Sequence, residues 1–272
     1  MDSRAFDEYE AAGWETVASR YDELWSSITS QAVDPLLDAA GVGARMRVVD
    51  VGSGSGAAAG RAAERGAEAT GVDVAAAMVD IASVRQPAAR FVRASVTDLP
   101  FADGSFDAAV GNIVIQHVGA PTLAAHELAR VLVPGGRVAL STWDTPERSP
   151  FFAALLGALA DAEVPQPSEV PPGPSFFQFA DAAAFRALLA EAGFVDVEVH
   201  AISIDIPLRS TDEVIAALAE GTVRVGALVR AANDSQSQRI RESLQARLEE
   251  WRRQNLYVVP ASIAIASGRK PS

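Results

Sequence analysis

A chain of 272 residues, 49% of them hydrophobic, is long enough for one large core with an elaboration, and a net charge of −12 with a single lysine, Lys270, argues against nucleic acid as a partner. The absence of cysteine excludes disulfides, thiolate catalysis and Cys-ligated metal centres. The stretch Met1 to Glu8 lacks the basic-then-apolar build of a signal peptide and no apolar run reaches the length of a membrane span, so a cytoplasmic protein is expected.

In chain order, residues 7–40 read as helical, with Val33, Leu36, Leu37 and Ala40 at helical spacing and Gly41 as a stop. Strands are predicted over 46–51, 68–73, 90–94, 106–112 and 136–143, with helices over 57–65, 75–84 and 121–132 between them. This alternation predicts a parallel sheet covered on both faces, in which ligands bind at the carboxyl ends of the strands. Gly52, Asp73, Ser95, Asn112 and Trp143 all fall at such ends. Beyond strand five comes an apolar helix over 150–162, then a loop or lid with Pro165, Pro167, Pro171, Pro172 and Pro174 ahead of Phe176, Phe177 and Phe179. Phe185, Leu188, Leu189 and Ala192 form a helical stripe, and Val195, Val197 and Val199 alternate as a half-exposed strand. Ser210 to Glu213 reads as a capping box, Ile240, Leu244, Leu248 and Trp251 as another stripe, and Tyr257 to Ala266 as a final strand. A helical pair inserted between the last two strands would cap the substrate side.

The most informative segment is Val48 to Gly56, in which an apolar strand runs into a turn with Gly52, Gly54 and Gly56. Gly71-Val72-Asp73 ends the next strand, so together they read as a nucleotide-binding βαβ unit. The glycines permit close backbone approach to a ligand, and Asp73 is placed to accept hydrogen bonds from ribose hydroxyls. Asp50 lies two residues before the first glycine, where its carboxylate could hold the turn's amides or a cationic ligand head. A pyrophosphate there would be repelled, whereas a sulfonium cofactor with an amino-acid tail is tolerated.

Asp50 to Gly56 resembles the first motif of the class I S-adenosylmethionine-dependent methyltransferases. Later segments agree in order: Ser95 to Phe101 with Phe106-Asp107, then Asn112 to Val118, then Glu127 with Arg130 to Gly136, each similar to a stretch of the small-molecule enzymes related to ubiquinone and menaquinone biosynthesis. The resemblance is close over roughly residues 10–145. It implies an α/β, Rossmann-like, doubly wound sheet of seven mostly parallel strands with an antiparallel last strand, plus helical cap and lid elements. Residues 1–40 would form an N-terminal helical cap and 41–145 the cofactor-binding core. Residues 146–272 would supply the lid, the helical insertion and the last two strands of the same domain.

By resemblance, S-adenosyl-L-methionine is the cofactor, and Tyr21, Asp50, Gly52, Ser53, Gly54, Gly56, Asp73, Val74, Met78, Ser95, Val96, Asn112, Ile113 and His117 are its candidate neighbours. Val74, Met78 and Val96 would wall the adenine slot. Ser95 stands where the family usually has an aspartate that contacts the adenine amino group. Tyr21, in Trp14-x-x-x-Ala18-x-x-Tyr21, is similar to a helix residue that reaches the methionine end, and is open between that role and core packing. The expected reaction is methyl transfer to an oxygen, nitrogen or carbon nucleophile of a hydrophobic or aromatic small molecule. His117, Asp144 and Tyr21 are the candidate catalytic residues. His117 is open between a base and an ordering residue of its loop, and Asp144 is the second candidate base or a substrate anchor. No metal is expected, because Asn112 and Asp144-Thr145 do not supply the acid set of a catechol-type site. Two alternatives are a protein that binds S-adenosylmethionine without transferring its methyl, and an NAD-dependent oxidoreductase.

Overall fold

The computed structural model describes residues 3–272. Val48, Val49 and Val51 of β1 (Arg47–Val51) are all fully buried, the near-continuous apolar run expected of a strand covered on both faces. β1 pairs in parallel with β2 (Glu68–Asp73) and, on its other side, with β4 (Phe106–Gly111). β2 pairs with β3 (Arg90–Arg93) and β4 with β5 (Leu132–Trp143), also in parallel. β8 (Leu256–Arg269) runs antiparallel between β5 and β6 (Val195–Leu208). The order is therefore β3-β2-β1-β4-β5-β8-β6, with the two-residue β7 (Arg252–Arg253) folded onto β8 as an eighth strand. The chain reverses direction of winding between β1 and β4, and a crevice opens there at the strand ends.

The side chains of β1 divide the core. Val48 belongs to the core that also holds Leu36 of α3 (Val33–Ala39), Ala59 of α4 (Ala57–Glu64), Phe151 of α7 (Pro150–Asp161) and Ile240 of α11 (Asp234–Leu248). Val49 and Val51 belong to a second core that also holds Leu128 of α6 (Pro121–Val131) and Phe185 of α8 (Ala182–Glu191). Each such fully buried side chain contributes roughly 1.5–3 kcal/mol, so both faces hold the sheet. α5 (Ala76–Arg85) lies beside β2 and β3 and packs on the N-terminal helix α1 (Ser3–Leu24).

Three expectations are corrected. The helical stretch 7–40 is divided: α1 ends at Leu24, α2 covers Ser26–Thr29, a 3-10 turn covers Ser30–Ala32, and α3 follows. The hydroxyls of Thr29 and Ser30 both donate back to Ser26 O, the competition with helical bonding that breaks Ser/Thr-rich runs. The insertion before β8 holds three helices rather than a pair: α9 (Thr211–Gly221), α10 (Arg224–Arg230) and α11. The Ser210 box is only half made, since Glu213 N–H donates to Ser210 Oγ but the Glu213 carboxylate accepts from Arg209 N–H. The complete box is at Asn233 and Gln236, at the start of α11. The proline-rich segment has no regular structure until a 3-10 turn at Gln178–Ala180.

Candidate active site

The turn after β1 is shaped by its glycines. Gly52 has φ +61°, and a Cβ there would come within 2.2 Å of Val114 Cγ2. Gly56, at φ +88°, would meet Phe91 Cζ at 2.8 Å. Any side chain at either position would be strained and would clash. Asp50 crosses beneath this turn: Ala59 N–H, in the first turn of α4, donates to its Oδ2 at 2.9 Å. Its Oδ1 and the Ser53 hydroxyl are buried without a hydrogen-bond partner among the described residues. Burial, the largest cause, pushes the Asp50 carboxyl up to about 7, and the nearby Asp73 charge adds to the shift. These groups face a small cleft bounded by Tyr21, Thr29, Ser55, Ala57 and Asn112.

A larger cleft runs over the ends of β2, β3 and β4. Asp73 ends β2 in it, its oxygens accepting from Gly54 N–H at 2.9 Å and Ala75 N–H at 3.0 Å. Burial raises the Asp73 carboxyl above the usual range, opposed by those backbone donors. A carboxylate has about four acceptor positions, so further donors can be taken. Val74, Met78, Ser95 and Val96 line the same cleft, with the Ser95 hydroxyl 2.8 Å from Thr97 Oγ1. Asn112 and Ile113 form its far wall. Asn112 Nδ2 donates to Thr29 O, Ser141 Oγ donates to Asn112 Oδ1, and Ile113 N–H donates to Ser141 Oγ. Ile113 is held at φ +54°, costly for a β-branched residue and characteristic of site backbone fixed by its surroundings.

Trp14, Tyr21, Ile113 and His117 line both this cleft and a second chamber. The chamber is walled by Trp25, Trp143, Phe151, Phe152 and Phe176, by Thr222 and Val223 between α9 and α10, and by Arg224 at the start of α10. His117 follows β4 on a 3-10 turn (Ile115–His117), edge-on to Trp14 at 5.1 Å and to Phe176 at 5.9 Å between ring centroids. Its Nδ1 is 3.0 Å from Glu10 Oε2, which also accepts from Trp14 Nε1 at 3.0 Å. Arg224 Nε is 2.9 Å from Glu10 Oε1, at an angle that makes the contact Coulombic rather than a hydrogen bond. Tyr21 OH pairs with Thr29 Oγ1 at 3.1 Å, and burial raises its phenol pKa.

The family model described as a methyltransferase domain matches residues 49–140. A demethylmenaquinone methyltransferase from Beutenbergia cavernae is 32% identical over 202 residues, spanning 69% of this chain and 84% of that relative. The chain belongs to the class I S-adenosylmethionine-dependent methyltransferases. Its fold recurs in a candidate methyltransferase from Bacillus halodurans at TM-score 0.60 and 17% identity, covering 89% of this chain and all of that one (100%). It recurs also in the [4+2]-cyclase SpnF at TM-score 0.52 and 20% identity, covering 91% of this chain and 83% of that one.

The residues of this methyltransferase fit S-adenosylmethionine. The orphaned Asp50 Oδ1 and Ser53 Oγ offer partners to an ammonium group, and the glycine turn leaves a cradle a Cβ would fill. Membership of the family displaces the oxidoreductase reading. Of the expected site residues, Asp73, Val74, Met78, Ser95, Val96, Ile113 and His117 converge on the large cleft, and Asp50 and Ser53 on the small one. Tyr21, Gly52, Gly54 and Asn112 line both, whereas Gly56 borders neither and serves as the left-handed cap of α4. Asp144 is corrected: it is fully buried, takes Thr145 N–H, Ser262 Oγ and Arg148, and ties the end of β5 to β8 outside all of these clefts. In this structure its carboxylate faces β8 and Arg148 rather than these clefts. Glu10, Trp14 and Arg224 were not anticipated as site residues. The signal for Glu10 is an acid four residues after Phe6, on the buried stripe of α1.

Proposed function

We propose that this enzyme methylates a hydrophobic, ring-bearing small molecule of quinone-like or specialised-metabolite type, at an oxygen, nitrogen or carbon that sheds a proton. The carrying observation is the aromatic chamber, which meets the larger cleft at Trp14, Tyr21, Ile113 and His117. A chamber walled by rings selects planar apolar acceptors and excludes water from them. The similarity to a demethylmenaquinone methyltransferase supports a quinone-like ring.

S-adenosylmethionine supplies an electrophilic methyl on a sulfonium. In this reading Asp73 accepts the ribose hydroxyls, Val74, Met78 and Val96 hold the adenine, and Asp50 with Ser53 takes the ammonium. The first amides of α4 face the carboxylate, an anion at a helix N-terminus. Tyr21 and Ile113 fix the border between the two spaces, so that acceptor and methyl approach in line. His117 receives the proton that the nucleophile loses.

The test is incubation with S-adenosylmethionine and a panel of hydrophobic phenols, hydroxyquinones and polar amines, read by mass spectrometry. The reading predicts products one CH₂ heavier among the apolar ring compounds, with S-adenosylhomocysteine in equal amount. Methylation confined to polar acceptors would refute it.

A further inference from the structure

We propose that Glu10 is a positioning residue for proton removal: it fixes His117 as the tautomer protonated at Nδ1, leaving Nε2 as the acceptor that faces the methyl acceptor. This deepens the reading of His117 as the base and rests on it.

The tautomer follows from donor chemistry. Glu10 Oε2 already accepts from the Trp14 indole N–H, and the guanidinium of Arg224 lies 2.9 Å from Oε1. With an indole N–H donating to Oε2 and a guanidinium charge beside Oε1, Glu10 serves here as an acceptor. A carboxylate 3.0 Å from Nδ1 can only receive a proton there, so the ring proton resides on Nδ1. Nε2 makes no hydrogen bond among the described residues, and His117 lines both the cofactor cleft and the acceptor chamber. With the Glu10 side chain 3% exposed and Arg224 13%, water does little to screen the arrangement. Arg224 is itself held by donation to Gln116 O and to Pro174 O of the proline-rich segment, and by Phe6 and Phe176 each 5.1 Å away. The carboxylate therefore has a fixed counter-ion, and it steadies the imidazolium that forms as the acceptor loses its proton.

The charged groups around His117 are Glu10 and Asp7 from α1, Arg224 from α10 and Asp73 across the cleft. Asp7 is engaged by Gly119 N–H, and burial raises its carboxyl, so Glu10 is the charge in direct contact.

The chain has three histidines, so ¹⁵N spectra of the imidazole nitrogens can be assigned by the signals lost in His117→Gln. In the unliganded wild-type protein, Nδ1 of His117 should be protonated and Nε2 bare. Glu10→Gln should mix or reverse that pattern and lower kcat by about 10²-fold while S-adenosylmethionine affinity changes less than about threefold. Loss of the carboxylate should also shift the rising limb of the pH–rate profile to lower pH, because the imidazolium loses its partner. Glu10→Asp should restore part of the rate. A wild-type His117 protonated at Nε2, or a Glu10→Gln variant with wild-type kcat and profile, overturns the proposal. If His117→Gln keeps full turnover, the base reading fails, and the spectra separately report the Glu10 contact.

Discussion

The substitution Asp50→Asn should stabilise the ligand-free enzyme at alkaline pH and weaken its hold on the cofactor. Asp50 is 1% exposed, and its carboxyl is pushed from 3.8 up to about 7 by burial. In the unfolded chain the same group ionises near 3.9. Across about pH 4–7 the folded state thus retains a proton that the unfolded state has lost, and stability falls as pH rises through that window. About three pKa units correspond to a loss of up to about 4 kcal/mol by about pH 8. The substituted side chain would carry no charge, and its amide oxygen can still accept from Ala59 N–H. Urea unfolding without ligand should find the two proteins within about 1 kcal/mol at about pH 4, and the variant ahead by roughly 2–4 kcal/mol at about pH 8. S-adenosylmethionine should bind the variant at least about tenfold more weakly, because its ammonium loses a charged partner. The reasoning is refuted if both proteins show the same pH dependence of stability.

Asp73→Ala should leave the fold intact and weaken S-adenosylmethionine binding at least about tenfold, since hydrogen bonds to a charged acceptor are worth roughly 1.5–3 kcal/mol each; calorimetric titration with unchanged affinity would contradict this. Residues 165–179 should resist proteolysis better when cofactor and acceptor are both bound, as for a loop closing over a reacting centre. Pro174 and Phe176 already contact Arg224 at the chamber, and equal cleavage with and without ligands would mean a static loop.

The parts of the molecule legible in the sequence are those fixed by local pattern. The glycine turn, the valine-rich strand before it and the acid at the end of β2 each announce themselves within a few residues, because backbone geometry and burial on both faces constrain them directly. The helices and strands after β5, α10 excepted, were legible by periodicity, but their partners were not. The ion cluster at the chamber was invisible for a different reason: Glu10 and His117 are 107 residues apart, and Arg224 reaches Gln116 across 108. Only the packing of α1 and α10 against the loop after β4 brings these charges together. Asp144 shows the converse. Its place after a sheet strand suggested the site, but Ser262 on β8 and Arg148 on the following turn draw its carboxylate away.

A crystal structure with S-adenosylhomocysteine bound tests the central claim most directly. The account predicts ribose hydroxyls on Asp73, adenine between Val74, Met78 and Val96, and the sulfur at the border formed by Trp14, Tyr21, Ile113 and His117, pointing into the aromatic chamber. A nucleoside away from Asp73, or a sulfur directed to solvent with the chamber closed off from it, would contradict it.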